Sequence, residues 1–143
     1  MSATHDIQAN KALLTEFQKT LAQRLRGEPA DIRAYFHNDI AWHFPKSTAE
    51  AASGSDHYGI DAVMAMFGDD VGQFYQQDTM TFHYHAITAE EDRVHLHFSL
   101  EAKTATGEDY YNDYQSLFRM ADGKIIEVWE YFDTAYLFSL FTL

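Results

Sequence analysis

Residues 94–101 read Val94-His95-Leu96-His97-Phe98-Ser99-Leu100-Glu101, apolar alternating with polar at every step. A period of two is that of a β-strand with one buried face. Outward from this segment the same period runs from Asp78 to Asp133. Three turn signals, Glu90-Glu91-Asp92, Thr106-Gly107-Glu108 and Asp122-Gly123, divide it into strands expected at 79–89, 93–105, 109–121 and 124–134. Their short connections imply an antiparallel meander.

Upstream the period changes to that of a helix. Leu14, Phe17, Leu21 and Leu25 recur three and four apart, which predicts a helix over 7–25 ended by Gly27. Pro29 with Ile32, Tyr35 and Phe36 predicts a short second helix stopping near His37-Asn38. Ile40, Trp42 and Phe44 alternate as a short strand closed by Pro45, and the Ser/Ala/Gly/Asp-rich stretch 46–57 reads as a mobile loop that could serve as a lid. Ile60, Val63, Met64, Phe67, Val71 and Phe74 give a third helix, weakened at Gly68 and Gly72. Helices first and sheet second define an α+β fold, with three N-terminal helices covering one face of a curved, mainly antiparallel sheet.

The chain of 143 residues is expected to form one domain, 1–143, with 1–6 a flexible tail and the apolar end from Tyr136 to Leu143 docked on the body or on a partner. Hydrophobic residues at 46% and aromatics at 15% supply enough apolar surface for a core. Ten Lys and Arg against 22 Asp and Glu leave a charge of −12, which repels phosphate backbones and anionic membranes, so no nucleic-acid or membrane partner is expected. No apolar run approaches the roughly 20 residues that span a bilayer, and the polar start lacks a basic segment followed by an apolar one. A cytoplasmic location is therefore the expectation. The absence of cysteine removes thiol chemistry, and no glycine-rich phosphate loop is present, so no organic cofactor is expected.

The polar face of the opening segment, His95, His97, Ser99 and Glu101, reads either as a solvent face or as the wall of a cavity enclosed between sheet and helices. On the cavity reading, Val94, Leu96, Phe98 and Leu100 form with Trp129 and Tyr131 an apolar patch too large for a monomer, and the chain is a homodimer through that face.

The order of elements, Tyr58-Gly59-Ile60-Asp61-Ala62-Val63, and Asp122-Gly123-Lys124-Ile125-Ile126-Glu127-Val128-Trp129-Glu130-Tyr131-Phe132-Asp133 together resemble the SnoaL-like branch of the nuclear-transport-factor-2-like superfamily, over roughly residues 7 to 137. The resemblance implies a conical fold. That superfamily includes ketosteroid isomerases, polyketide cyclases, limonene epoxide hydrolases and transport adaptors, so fold alone does not choose an activity. Aligned on the limonene epoxide hydrolase pattern, the motif aspartate falls on Glu130, the arginine and second aspartate on His97 and Ser99, and the water-holding tyrosine and asparagine on Trp42 and Phe44. The position of a ketosteroid isomerase base falls on Phe44.

Glu130 and His97 are the candidate catalytic pair, a carboxylate in an apolar cone with an imidazole tuning its pKa for proton transfer of isomerase, cyclase or hydrolase type. Period-two counting places Ser99, Glu101, Asn112, Tyr114, Ser116 and Val128 on the ligand-facing side. Trp42, Phe44, Tyr35 and Phe67 complete an aromatic wall for a small hydrophobic molecule. The alternative is a non-catalytic binding or dimerisation module. A third reading takes His83, His85, His95 and His97 as a metal site, if strand register places His85 beside His97; no ligand set is assigned. His97, paired with Glu130, is expected to gain a raised pKa on folding.

Overall fold

The computed structural model describes residues 6–51 and 54–141. Helix α1 (Ile7–Leu25) begins at Asp6, whose carboxylate accepts from the Ala9 amide at 2.9 Å, so residue 6 is a helix cap and not part of a free tail. The apolar stripe read from sequence is the buried one: Leu14, Phe17, Leu21 and Leu25 face the core. The expected second helix is a single 3₁₀ turn, Arg33–Tyr35, and the chain is already extended at Phe36, opening strand β1 (Phe36–His43). Ile32, Phe36 and Ile40 are all buried, and their spacing suited a helix as well as it suited a turn leading into a strand.

After a 3₁₀ turn at Lys46–Thr48, the stretch read as a loop ends in a short strand, β2 (Asp56–Tyr58), antiparallel to β1. The third helix comes in pieces: α2 (Ile60–Ala65), a π-helical turn over Met66–Asp70, and α3 (Val71–Phe74). Strands β3 (Tyr75–Glu90), β4 (Arg93–Thr104), β5 (Asp109–Ala121) and β6 (Lys124–Phe132) form the meander. β6 then pairs with β1 in parallel, giving one six-stranded sheet in the order β2-β1-β6-β5-β4-β3. The last helix, α4 (Thr134–Leu140), is capped by Asp133. Phe141 beyond it packs on Phe74, Tyr75 and Tyr110, so the apolar end is docked on the body as far as the described residues go; residues 142 and 143 lie outside them. No helix among the described residues is long and apolar enough to cross a membrane.

The helices cover the apolar side of the opening segment. Val94, Leu96, Phe98 and Leu100 are buried in the core. His95, His97, Ser99 and Glu101 therefore lie on the outer face, which corrects the expectation that they line the cavity. The dimer patch dissolves for the same reason: its β4 residues point inward, while Trp129 and Tyr131 point outward.

Two β-bulges decide what else faces in. On β6 the register slips between Met120↔Ile125 and Arg119↔Glu127, leaving Ile126 as an extra residue. Before the bulge Ile125 is buried; after it Val128 is, and Glu130 and Phe132 share that inner face. A two-residue Asp122-Gly123 turn without the bulge would have turned Glu130 outward. On β3 the slip between Tyr84↔Phe98 and Ala86↔His97 leaves His85 as the extra residue, and its ring reaches the outer face, 4.7 Å from that of His97.

Candidate functional site

The cone holds a half-open cavity of about 190 Å³. Phe17 and Leu21 of α1, Trp42 of β1, Phe44 just beyond it, Met66 and Phe67 of the π turn, and Phe82, Phe98, Phe118 and Phe132 of the sheet line it. Thr48, Ala51 and Gly54 bring the segment before β2 into the wall, and Leu137 and Phe141 bring the C-terminal segment. Trp42 meets Phe67 edge to face at 5.1 Å and 89°, while Phe98 stacks on Tyr114 at 4.9 Å and 8°. Such a lining favours a flat apolar molecule. An engineered apolar cavity of about 150 Å³ takes benzene, so this one accommodates one substituted ring or two fused rings.

Two carboxyl groups border this space, Asp70 and Glu130. Glu130 sits on β6 opposite Ser116 of β5, whose hydroxyl approaches a Glu130 oxygen at 3.5 Å, the long limit of a hydrogen bond. No ion pair to Glu130 occurs among the described residues. Desolvation therefore governs it, and its pKa is raised to about 7, with the Ser116 contact pulling weakly the other way.

Around Glu130 stands a group of tyrosines. The hydroxyls of Tyr110 and Tyr114 lie 2.6 Å apart, and Tyr75 adds its own hydroxyl to them. Asn112 donates to the Tyr110 oxygen and to the Asp133 carbonyl, both at 3.0 Å, while its own carbonyl accepts from the Asp113 amide. Tyr110 and Tyr114 are buried. Burial raises the phenol pKa of Tyr75, Tyr110 and Tyr114, and the Glu130 charge adds to that rise. The three phenols thus remain neutral at physiological pH; Asn112 holds the Tyr110 hydroxyl, and Tyr75 and Tyr114 border the cavity together with Glu130.

The structure brings together Glu130, Trp42, Phe44, Phe67 and Tyr114 around the cavity, as read from sequence. Asn112, Ser116 and Val128 share the inner face but stand behind the lining, Asn112 and Ser116 holding the polar groups in front of them. Tyr35 is not in the wall; its hydroxyl bonds Thr20 at 2.9 Å and its ring packs on Phe17. His97, Ser99 and Glu101 are separated from Glu130 by the sheet itself, because His97 pairs with Gln115 and Ser99 with Asp113 while Glu130 faces away from both. The proposed Glu130–His97 pair is not formed. Sequence reasoning missed Tyr75 and Tyr110, although Tyr110 lies two residues before Asn112 on a face already counted.

His43, His85 and His97 serve the outer face, whereas His57, paired with Trp42, is buried against Phe44. His85 Nε2 lies 2.8 Å from Ser99 Oγ, which donates to Asp113 at 2.6 Å. With its one proton given to Asp113, the Ser99 hydroxyl accepts from His85, so it is a buried bridge and not an activated nucleophile. Among the described residues no three His, Asp or Glu side chains converge to hold a metal ion. His43 lies between Asp56 at 2.6 Å and Glu127 at 2.8 Å, with Arg119 on the other Glu127 oxygen at 3.0 Å. Both ring nitrogens face acceptors only, so the ring is an imidazolium. Burial opposes that charge, but the two carboxylates outweigh it and the His43 pKa is raised.

The SnoaL-like domain family matches residues 11–128, and the chain belongs to it. No curated protein matches by sequence. Among solved structures, an NTF2-like protein of unknown function from Burkholderia pseudomallei superimposes with a TM-score of 0.80 at 20% identity, covering 94% of this chain and 98% of the other. TerC, co-crystallised with polyporic acid, gives 0.78 at 19% identity over 92% and 97%. A protein described as a SnoaL-like polyketide cyclase from Jannaschia sp. gives 0.74 at 15% identity over 98% and 96%. At these identities the likeness shows the conical α+β fold alone.

Proposed function

We propose that the protein binds a small ring-shaped carbonyl compound in the cone and moves a proton on it, Glu130 acting as the acid–base group, in a reaction of isomerase or cyclase type. The observation that carries this reading is Glu130 itself: a half-buried residue whose desolvated carboxyl has no cationic partner among the described residues and is held near pKa 7 beside three neutral phenols in a largely apolar cavity. A group with that pKa is half ionised at neutral pH, where it both takes and returns protons efficiently.

The chemistry follows from the arrangement. The Glu130 carboxylate takes a proton from the carbon next to the carbonyl, and the C–H electron pair becomes the double bond of an enolate. The carbonyl oxygen gains negative charge and is stabilised by phenol donors that are already oriented, Tyr114 and Tyr75 being those that border the cavity. The protonated Glu130 returns the proton to the same carbon, or to another within reach. TerC, a structural neighbour co-crystallised with polyporic acid, agrees with such an occupant.

The test is exchange of the α-protons of 2-tetralone in D₂O, followed by proton NMR. Saturable catalysis by the wild type that Glu130→Gln abolishes is the expected result. Binding of 2-tetralone by both proteins with no exchange above the buffer rate would instead make the protein a carrier.

A further inference from the structure

One donor in the cavity wall has no acceptor among the described residues. Trp42 is 3% exposed and borders the cavity, yet its indole N–H has no oxygen or nitrogen acceptor among the described residues. Other buried polar groups on the inner face are paired: Tyr110 with Tyr114 and Asn112, Asn112 with Asp133, Ser116 with Glu130. Buried donors are almost always satisfied in native proteins, so an orphan in a ligand cavity marks the place of a ligand acceptor. The indole's neighbours are aromatic rings, Phe67 and Phe118, both met edge to face at 89°. A ring face is a weaker acceptor than oxygen and leaves the donor available to a better one.

We propose that the Trp42 indole N–H is a recognition donor, selecting molecules that carry a second acceptor oxygen besides the carbonyl presented to Tyr114 and Tyr75. Trp42 pairs with Val128 across β1 and β6, two residues before Glu130 on the same face. Strand geometry separates the two backbone positions by roughly 8 Å, a span that one or two fused rings bridge with an oxygen at each end. An ether, a carbonyl or a phenolic oxygen fits, since the indole can only donate. The inference rests on the proton-transfer reading for the orientation of the ligand, but the recognition itself needs no turnover.

The experiment uses 2-tetralones carrying either methoxy or ethyl at ring position 5, 6 or 7. Each pair has nearly the same shape and differs by one acceptor oxygen. For at least one position the wild type binds the methoxy compound five- to tenfold more tightly than the ethyl one, and in Trp42→Phe the two bind within twofold of each other. Because Trp42 is a core residue, an indole ¹H–¹⁵N spectrum of the wild type provides a second reading that requires no substitution. The Trp42 proton moves downfield with the methoxy ligand and not with the ethyl ligand, while Trp129 on the outer face stays put. No preference at any position with an unmoved Trp42 resonance, or a preference that survives in Trp42→Phe, overturns the proposal. Glu130→Gln keeps the methoxy preference, so the two readings fail separately: a wild type that shows the preference but no exchange loses the acid–base role and keeps the recognition donor.

Discussion

Strand β6 carries two glutamates three residues apart, and the sheet separates them. Glu127 faces outward, where His43 and Arg119 bond its two oxygens; burial alone would raise its pKa, but these partners lower it. Glu130 faces the cavity, has only a long contact with Ser116, and rises to about 7. The residue type is the same and so is the strand. What differs is whether a cation stands within hydrogen-bond reach when water is removed. The outer glutamate is a structural anchor, and the inner one is kept available for protons.

The sharpest way to break this contrast is to remove the inner carboxylate. Glu130→Gln should lower α-proton exchange of 2-tetralone by 100-fold or more, the usual weight of a positioned acid–base group. Tyr114→Phe should lower it by about tenfold to 100-fold through loss of one oriented donor, with Tyr75 retained. If Glu127→Gln costs as much exchange as Glu130→Gln, the distinction between the faces fails.

Stability gives a second contrast, with signs that can be worked out. The folded pKa of Glu130 lies above its unfolded value of 4.5, so the native state holds a proton that the unfolded chain releases. Stability is then lost as pH rises from about 4.5 to about 7, by an amount on the order of 3 kcal/mol. Urea unfolding at pH 5 and pH 8 should show this fall in the wild type and a flatter profile in Glu130→Gln.

His43 is also raised, so its contribution is present below pH 6.5 and is lost as pH climbs through its folded value. Glu127 and Asp56 are lowered, so their contributions hold above their unfolded values and are lost as pH falls through the folded ones. The cluster therefore supports the fold best in mildly acidic solution. His43→Asn should cost about 2 kcal/mol near pH 6, the worth of charge-assisted hydrogen bonds, and less at pH 9, as read from paired denaturation curves. The smallest effect is expected at His97. Because it faces away from the cavity, His97→Asn should leave exchange within twofold of wild type.

Much of the fold was legible because period is a direct image of burial. The α1 stripe, the four-strand meander and the aromatic wall of Trp42, Phe44, Phe67 and Tyr114 all follow from it. The sidedness of the sheet was not read correctly. The three-residue turn expected at 106–108 keeps parity across β4 and β5, so it already pairs an even-numbered residue with Tyr114; the observed partner is Phe98, not His97. The placement of Glu130 could not be read this way. It depends on the bulge at Ile126, where one extra residue in Ile125-Ile126-Glu127 reverses the face of everything that follows, and both isoleucines suit a strand in either register. Likewise the His43 cluster joins residues from β1, β2, β5 and β6, a convergence that only the folded chain displays.

The most direct measurement is the titration of Glu130 itself. In protein labelled with ¹³C at glutamate side-chain carboxyls, the Glu130 resonance is the one that disappears in Glu130→Gln. Its chemical shift should titrate with a midpoint near 7, well separated from that of Glu127, which should titrate below the usual carboxylate range. A Glu130 midpoint near 4.5 would mean that the group is solvated or paired with a cation, and the account of a desolvated proton acceptor facing an aromatic cavity would be contradicted.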